Sequence, residues 1–166
     1  QTCALPISQL QKWNRYAEIR EEIGRPVAPG EDRCLVMNIH VAKTREKAMV
    51  KGKPGHDEFA NFLSPYGRFS SYRNPDGSKV AFNHCPTVEE SNEQKIQIVG
   101  SIDDAVDTLG FWRDLLDLKH ICFFFDYPGL SREEMIEQMH LVTEEVFPKL
   151  GEKVERRPLP NLQPLV

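Results

Sequence analysis

At 166 residues, 40% hydrophobic and 28% charged, the chain has the size and balance of one ordinary soluble domain able to bury a core. A formal charge of -4 and a pI near 5.8 give no basic footprint for nucleic acid, and no apolar run approaches the roughly 20 residues that span a bilayer, so both count as poor partners. The four cysteines, Cys3, Cys34, Cys85 and Cys122, form neither a CxxC pair nor a disulfide framework; a reducing, cytoplasmic setting fits them, and His84 beside Cys85 lacks the second spaced pair that a zinc site needs.

The opening QTCALPIS lacks the charged and apolar regions of a signal peptide. The string is similar to the conceptual translation of a sequencing adapter, so residues 1–8 are expected to be a non-native scar; a short native terminus is the alternative. In residues 9–23, Leu10, Trp13 and Ala17 recur at helical spacing until Gly24 and Pro26 stop the pattern, which predicts an amphipathic helix. CLVMNIHV (34–41) is short, apolar and rich in β-branched residues, as a strand should be, and Thr44 can cap a following helix. Residues 52–94 carry Pro54, Pro65, Pro75, Gly77 and Pro86 and are expected to be an irregular stretch, with HDEFANFL as a possible helical piece.

Order resumes at KIQIVG, a short strand ending at Gly100. Ser101 with Asp103 and Asp104 opens a helix whose inner face is Ile102, Val106, Leu109 and Trp112. Residues 119–125 end in Phe123, Phe124 and Phe125, a continuous apolar run of the kind buried on both faces of a parallel sheet. Tyr127–Leu130 makes a turn, Ser131 and Glu134 form a capping box, and Met135, Met139, Val142 and Val146 line the last helix as core rather than as a methionine-rich ligand site. Strands alternating with helices argue for parallel strands joined by right-handed crossovers. In such folds ligands gather beyond the carboxyl ends of the strands, where Asp126, His40 and the Gly100–Ser101 pair all stand.

IVGSIDDAVDTL, followed by HICFFFDYPGLSREEMIEQMHLVTEEVFPKLG, resembles the C-terminal end of bacterial luciferase-like flavin-dependent monooxygenases, and MNIHVAKTREKA resembles the strand and helix that precede it there. The resemblance covers roughly 9–151 and is weak through 52–94. It implies the C-terminal part of a TIM (β/α)8 barrel, since three strands cannot close a fold of typically ~250 residues. The domain plan is then a scar at 1–8, the barrel part at 9–151 with an irregular insertion at 52–94, and an irregular tail at 152–166. The resemblance also implies reduced FMN, or a deazaflavin in some branches, used with dioxygen to oxidise a small organic substrate. A separate flavin reductase and a homodimeric parent are the implied partners, and the fragment alone is expected to be inactive.

Period-two alternation puts Leu35, Met37, Ile39 and Val41 on one face of the first strand and Cys34, Val36, Asn38 and His40 on the other. The sulfonate-oxidising branch carries arginine and histidine two residues apart here, so His40 matches and Asn38 departs. His40 is the catalytic candidate, a hydrogen-bonding or proton-transfer group beside the flavin, with a core histidine bonded to a backbone carbonyl as the alternative. Asn38 and Asp126 are the substrate-binding candidates, Asp126 being as well placed to cap its turn. Gly100 and Ser101 are the cofactor-binding candidates, for a phosphate at a helix start; a plain helix cap is the competing role. Arg68 in YGRFSSY could reach a substrate or simply be solvated. Two other functions stay open: a non-catalytic flavin-binding or scaffolding protein of the same fold, and a doubly wound α/β binding domain, which an open sheet with helices on both faces would support.

Overall fold

The computed structural model describes residues 4–74 and 76–151; the expected irregular tail at 152–166 and the first three residues of the expected scar lie outside them. Helix α1 (Ala4–Glu22) begins before the predicted start and uses its apolar stripe only in part. Leu10 and Trp13 pack against the main core, whereas Ile19 and Ile23 stay exposed. Strand β1 (Cys34–Ala42) follows, then α2 (Arg45–Leu63), whose N-terminus Thr44 caps by accepting from the Lys47 N–H. A 3₁₀ turn (Ser64–Tyr66) and the short α3 (Val88–Glu93) lead to β2 (Gln97–Ser101), α4 (Ile102–Leu116), β3 (His120–Phe124) and α5 (Arg132–Leu141). A π turn at Val142–Val146 and α6 (Phe147–Lys149) end the ordered elements.

The architecture is α/β, three parallel strands alternating with helices, as in part of a (β/α)8 barrel. The strand order is β2-β1-β3, so the connection from β2 to β3 passes back across β1. Right-handed crossovers that run in opposite directions place their helices on opposite faces of the sheet. That is the arrangement found. Met37, Ile39 and Val41 of β1 join Ile98, the apolar face of α4 and Val142 and Val146 in the main core, as the alternation predicts. On the other face Val99 packs with Ala48 of α2, Val88 of α3 and Tyr127. Among the described residues the sheet is open with helices on both faces, the feature associated above with a doubly wound domain; the three strands are not three consecutive neighbours.

The two ladders share β1 unequally. β2 pairs with Asn38–Ala42 and β3 with Cys34–Asn38. Side-chain amides complete what the short strands leave undone. The Val41 N–H, beyond the reach of β3, donates to Gln138 Oε1 at 2.6 Å. Asn92 acts like one more residue of strand on β2, accepting from the Val99 N–H at 3.0 Å and donating to its carbonyl at 2.9 Å, which satisfies backbone groups that an edge leaves open.

Three sequence expectations need correction. Pro54 does not break the helix: α2 runs through it because the proline lies on the solvent side, where the carbonyl it deprives of a partner can meet water. On the inner side Gly52 and Gly55 are buried, letting the helix lie close to the sheet. The Phe123–Phe125 run is not buried on both faces. Ile121, Phe123 and Phe125 pack against the core while Cys122 and Phe124 face outward, Phe124 at 48% exposure, because β3 is an edge strand and no described element covers that face. The last helical stripe passes through Gln138, Val142 and Val146 instead of Met139, which is exposed, since Gln138 turns inward to reach Val41.

Candidate functional site

A cleft of about 570 Å³ opens beside the first half of β1. β2 begins opposite Asn38, so among the described residues those before Asn38 have no strand on that side, and the notch is lined by residues of both faces of β1, Leu35 and Met37 with Val36 and Asn38. Lys95 and Ile96, just ahead of β2, form its floor together with Trp112, whose indole N–H donates to the Lys95 carbonyl at 2.7 Å. Phe59 of α2 and Phe69 and Tyr72 of the following loop supply aromatic walls, and Phe124, Asp126 and Pro128 close the β3 side. Its volume lies within the range of small-molecule sites, and its lining is the expected mixture of apolar walls with a few polar groups.

Asn38 and Asp126, named from sequence on separate strands, meet in this cleft, and Arg68 joins them. Gly67 adopts φ +69° at the end of the 3₁₀ turn, where glycine has no steric penalty. The chain there turns back toward the sheet, burying Phe69 against Ala60 and Tyr72 and leaving Arg68 at the cleft.

His40 is on the same face as Asn38 but does not line the cleft. It is 4% exposed, covered by Gly52, whose added Cβ would stand 2.9 Å from its Cδ2. The Tyr127 ring lies edge-on to it at 6.1 Å between centroids. Burial pushes the imidazole below its ordinary pKa; Glu134 pulls it up and Lys51 opposes that pull. Among the described residues its Nδ1 has no hydrogen-bond partner, so the backbone-carbonyl bond of a core histidine is not formed at that nitrogen either. Sequence reasoning missed its neighbours. Tyr127, 2% exposed, donates its hydroxyl to Gln97 Oε1 at 3.0 Å, and the Gln97 Nε2 is also unpaired. Buried unpaired polar atoms are uncommon and costly. Here two lie on adjacent strands just behind the cleft.

Gly100 and Ser101 sit elsewhere, at the start of α4. Ser101 is the cap: its Oγ accepts from the Asp104 N–H at 3.1 Å, while Asp104 Oδ2 accepts from the Ser101 N–H at 2.8 Å. Arg45 clamps the same carboxylate, and the Arg45 bond holds the Asp104 pKa at about 2. A Cβ on Gly100 would meet that carboxylate at 2.6 Å, so the place a phosphate would take is already filled by an acid. The neighbouring cleft of about 330 Å³ adds Glu89, Glu93 and Asp107 against Arg45 and Lys95. These residues do not fit a flavin phosphate, and the competing role of Ser101 as a helix cap accounts for them.

A second buried web joins α2, α3 and the loop between them. Ser91 Oγ lies 3.1 Å from His56 Nε2 and 3.0 Å from the Tyr72 hydroxyl, and His56 Nδ1 lies 3.1 Å from Asp57 Oδ1. The residue types are those of an acyl-transfer triad. Ser91, however, is 1% exposed and lines neither cleft, so the web braces the Tyr72 wall instead. Among the described residues no group of three metal-ligating side chains converges and no helix is long and apolar enough to cross a membrane. Cys34, Cys85 and Cys122 are free and exposed.

The fold is shared with solved structures. The crystal structure of the monooxygenase RslO1 from Streptomyces bottropensis superposes with a TM-score of 0.64 at 18% identity, over 86% of this chain and 38% of that one. The chain thus spans less than two fifths of that protein's length, and the likeness is one of fold. No protein-family model and no curated protein matches the sequence.

Proposed function

We propose that the chain is part of a flavin-dependent monooxygenase of the luciferase-like group, acting on a small organic substrate held in the β1 cleft. The observation that carries this reading is the convergence of Asn38 and Asp126 in one aromatic-walled cleft, within a fold also found in a monooxygenase. Reduced FMN, or a deazaflavin, would supply the activation of oxygen. The chain's own residues would do the rest. The Asn38 carboxamide orients the substrate, Asp126 meets a polar substituent at the mouth, and Phe59, Phe69 and Trp112 exclude water from its apolar body. His40, neutral at pH 7 because of its burial, holds a proton-transfer position one pleat beyond Asn38, and Tyr127 stands over it.

Trp112 lies in the cleft and reports on it. Anaerobic titration with reduced FMN is expected to quench Trp112 fluorescence saturably, with a dissociation constant of about 10 μM or weaker because Ser101 offers no phosphate site; Trp112→Phe removes the signal. On admitting oxygen to the full-length parent, His40→Ala is expected to slow flavin reoxidation by about 10²–10⁴-fold, the usual contribution of a general acid or base. Absence of quenching at millimolar FMN overturns the reading. A second reading, a non-catalytic flavin-binding or scaffolding protein, is favoured by the position of His40 behind Gly52 and Tyr127; it predicts quenching with reoxidation indifferent to His40→Ala.

A further inference from the structure

We infer that the β1 cleft takes a planar aromatic ligand bearing an anionic group, and that Arg68 is the residue that holds the anion. The charges at the cleft are Lys12, Arg68 and Lys95 against the single carboxylate of Asp126. The excess is two positive charges on a chain whose formal charge is -4, so the notch reverses the sign of its surroundings. The contrast with the neighbouring cleft, lined by four carboxylates and two cations, shows that this is a local arrangement. None of Lys12, Arg68, Asp126 or the Asn38 side chain has a hydrogen-bond or ion-pair partner among the described residues. Among the described residues the Lys95 ammonium meets only the ring face of Phe111, with Nζ 5.1 Å from the centroid. The cations at the notch are therefore uncommitted, whereas the Arg45 guanidinium is already spent on Asp104.

Arg68 is the strongest of the three for this task. Its guanidinium offers a planar fork of donors that matches a carboxylate or phosphate bidentately, which an ammonium cannot do. Its backbone is fixed on both sides, by the left-handed Gly67 and by Phe69, 8% exposed in its own apolar cluster. The aromatic walls set the other half of the preference. Trp112 and Tyr72 are each 2% exposed, while Phe59 and Phe124 stand open at 37% and 48%, so a flat apolar body covers exposed rings as it enters. The shared chemistry has two sources, an acidic aromatic substrate or the phosphate of a flavin mononucleotide. The inference rests on this cleft as the ligand site and not on oxygen chemistry, so failure of flavin turnover leaves it standing.

Calorimetric titration of the full chain with two matched pairs tests it: naphthoate against neutral naphthamide, and FMN against riboflavin. At least one anionic member is expected to bind about tenfold more tightly than its neutral counterpart, with the preference falling as salt rises. Arg68→Glu, an exposed position, is expected to abolish that preference with the melting temperature unchanged; Arg68→Gln, a milder change, reduces it severalfold should the reversed charge disturb folding. A preference confined to naphthoate identifies the substrate as the acid, and one confined to FMN identifies the phosphate. Equal binding within both pairs overturns the inference, as does a preference that survives in a folded Arg68 variant.

Discussion

Replacing Asp104 by asparagine removes a charge that four donor atoms share while leaving the shape of the side chain. Asp104 Oδ2 accepts from the Ser101 N–H, the Ser101 hydroxyl and Arg45 Nε at 2.8, 2.9 and 3.1 Å, and a second Arg45 nitrogen binds Oδ1. These partners, Arg45 foremost, hold the carboxyl at about 2 against an ordinary value of 3.8. That depression corresponds to about 2 kcal/mol in favour of the folded, ionised form. The carboxylate is 28% exposed but Arg45 is 62% exposed, so solvent screening lowers the expectation to about 1–2 kcal/mol at pH 7. The sign follows from a folded pKa below the unfolded one: the contribution is whole above about pH 4 and is lost as pH falls through about 2. Urea unfolding of both proteins at pH 7, then stepwise into acid, is expected to show a gap that narrows below pH 4 at constant m-value. A gap under about 0.5 kcal/mol at pH 7, or one that keeps its size in acid, refutes the reasoning.

Gly52→Ala places a Cβ 2.5 Å from Val99 Cγ1 and 2.9 Å from the His40 ring; overpacking of about 1–3 kcal/mol outweighs the roughly 1 kcal/mol gain in helix propensity, so thermal melting is expected to fall. Gly110→Ala, whose Cβ would meet only Leu150 at 3.7 Å, is expected to raise it, and a rise in both would mean that α2 does not press on β1. Gln138→Leu leaves the Val41 N–H without its acceptor and is expected to cost about 1–3 kcal/mol in chemical denaturation; no loss would show that this amide finds water. Burial lowers the pKa of both His40 and His56 from 6.5, so the unfolded chain gains protons first and stability is expected to decline as pH drops below about 6.5. A melting temperature that is flat from about pH 7.5 to 5.5 contradicts that.

What could be read in the sequence was local. The two faces of β1 followed from alternation, and the caps at Thr44, Ser101 and Ser131 from side-chain chemistry. Thr87 with Glu90 makes a further capping box, its T-x-x-E signature lying in a stretch whose prolines argue against regular structure. What was not legible depends on distant partners. The fate of Pro54 is set by which side of α2 meets the sheet, and the outer face of β3 is exposed because no described element lies over it, neither of which a window of neighbouring residues records. Likewise, nothing in NIHV separates Asn38, at the cleft, from His40, behind it. The separation is made by Gly52 and Tyr127, 12 and 87 residues further along the chain.

The unequal sharing of β1 makes the sheet a lap joint. Two five-residue ladders are laid end to end along one rail and overlap only at Asn38. Either ladder can open without unzipping the other, so β3 and the β1–β2 pair form separable units of local unfolding, with distinct opening free energies readable by amide exchange. The overlap falls at the last of the β1 residues that line the cleft. A molecule seated on Asn38 therefore straddles the joint, and the stabilisation it brings by mass action is spread over both halves of the sheet. Occupancy of the notch would convert two loosely coupled ladders into a single cooperative one.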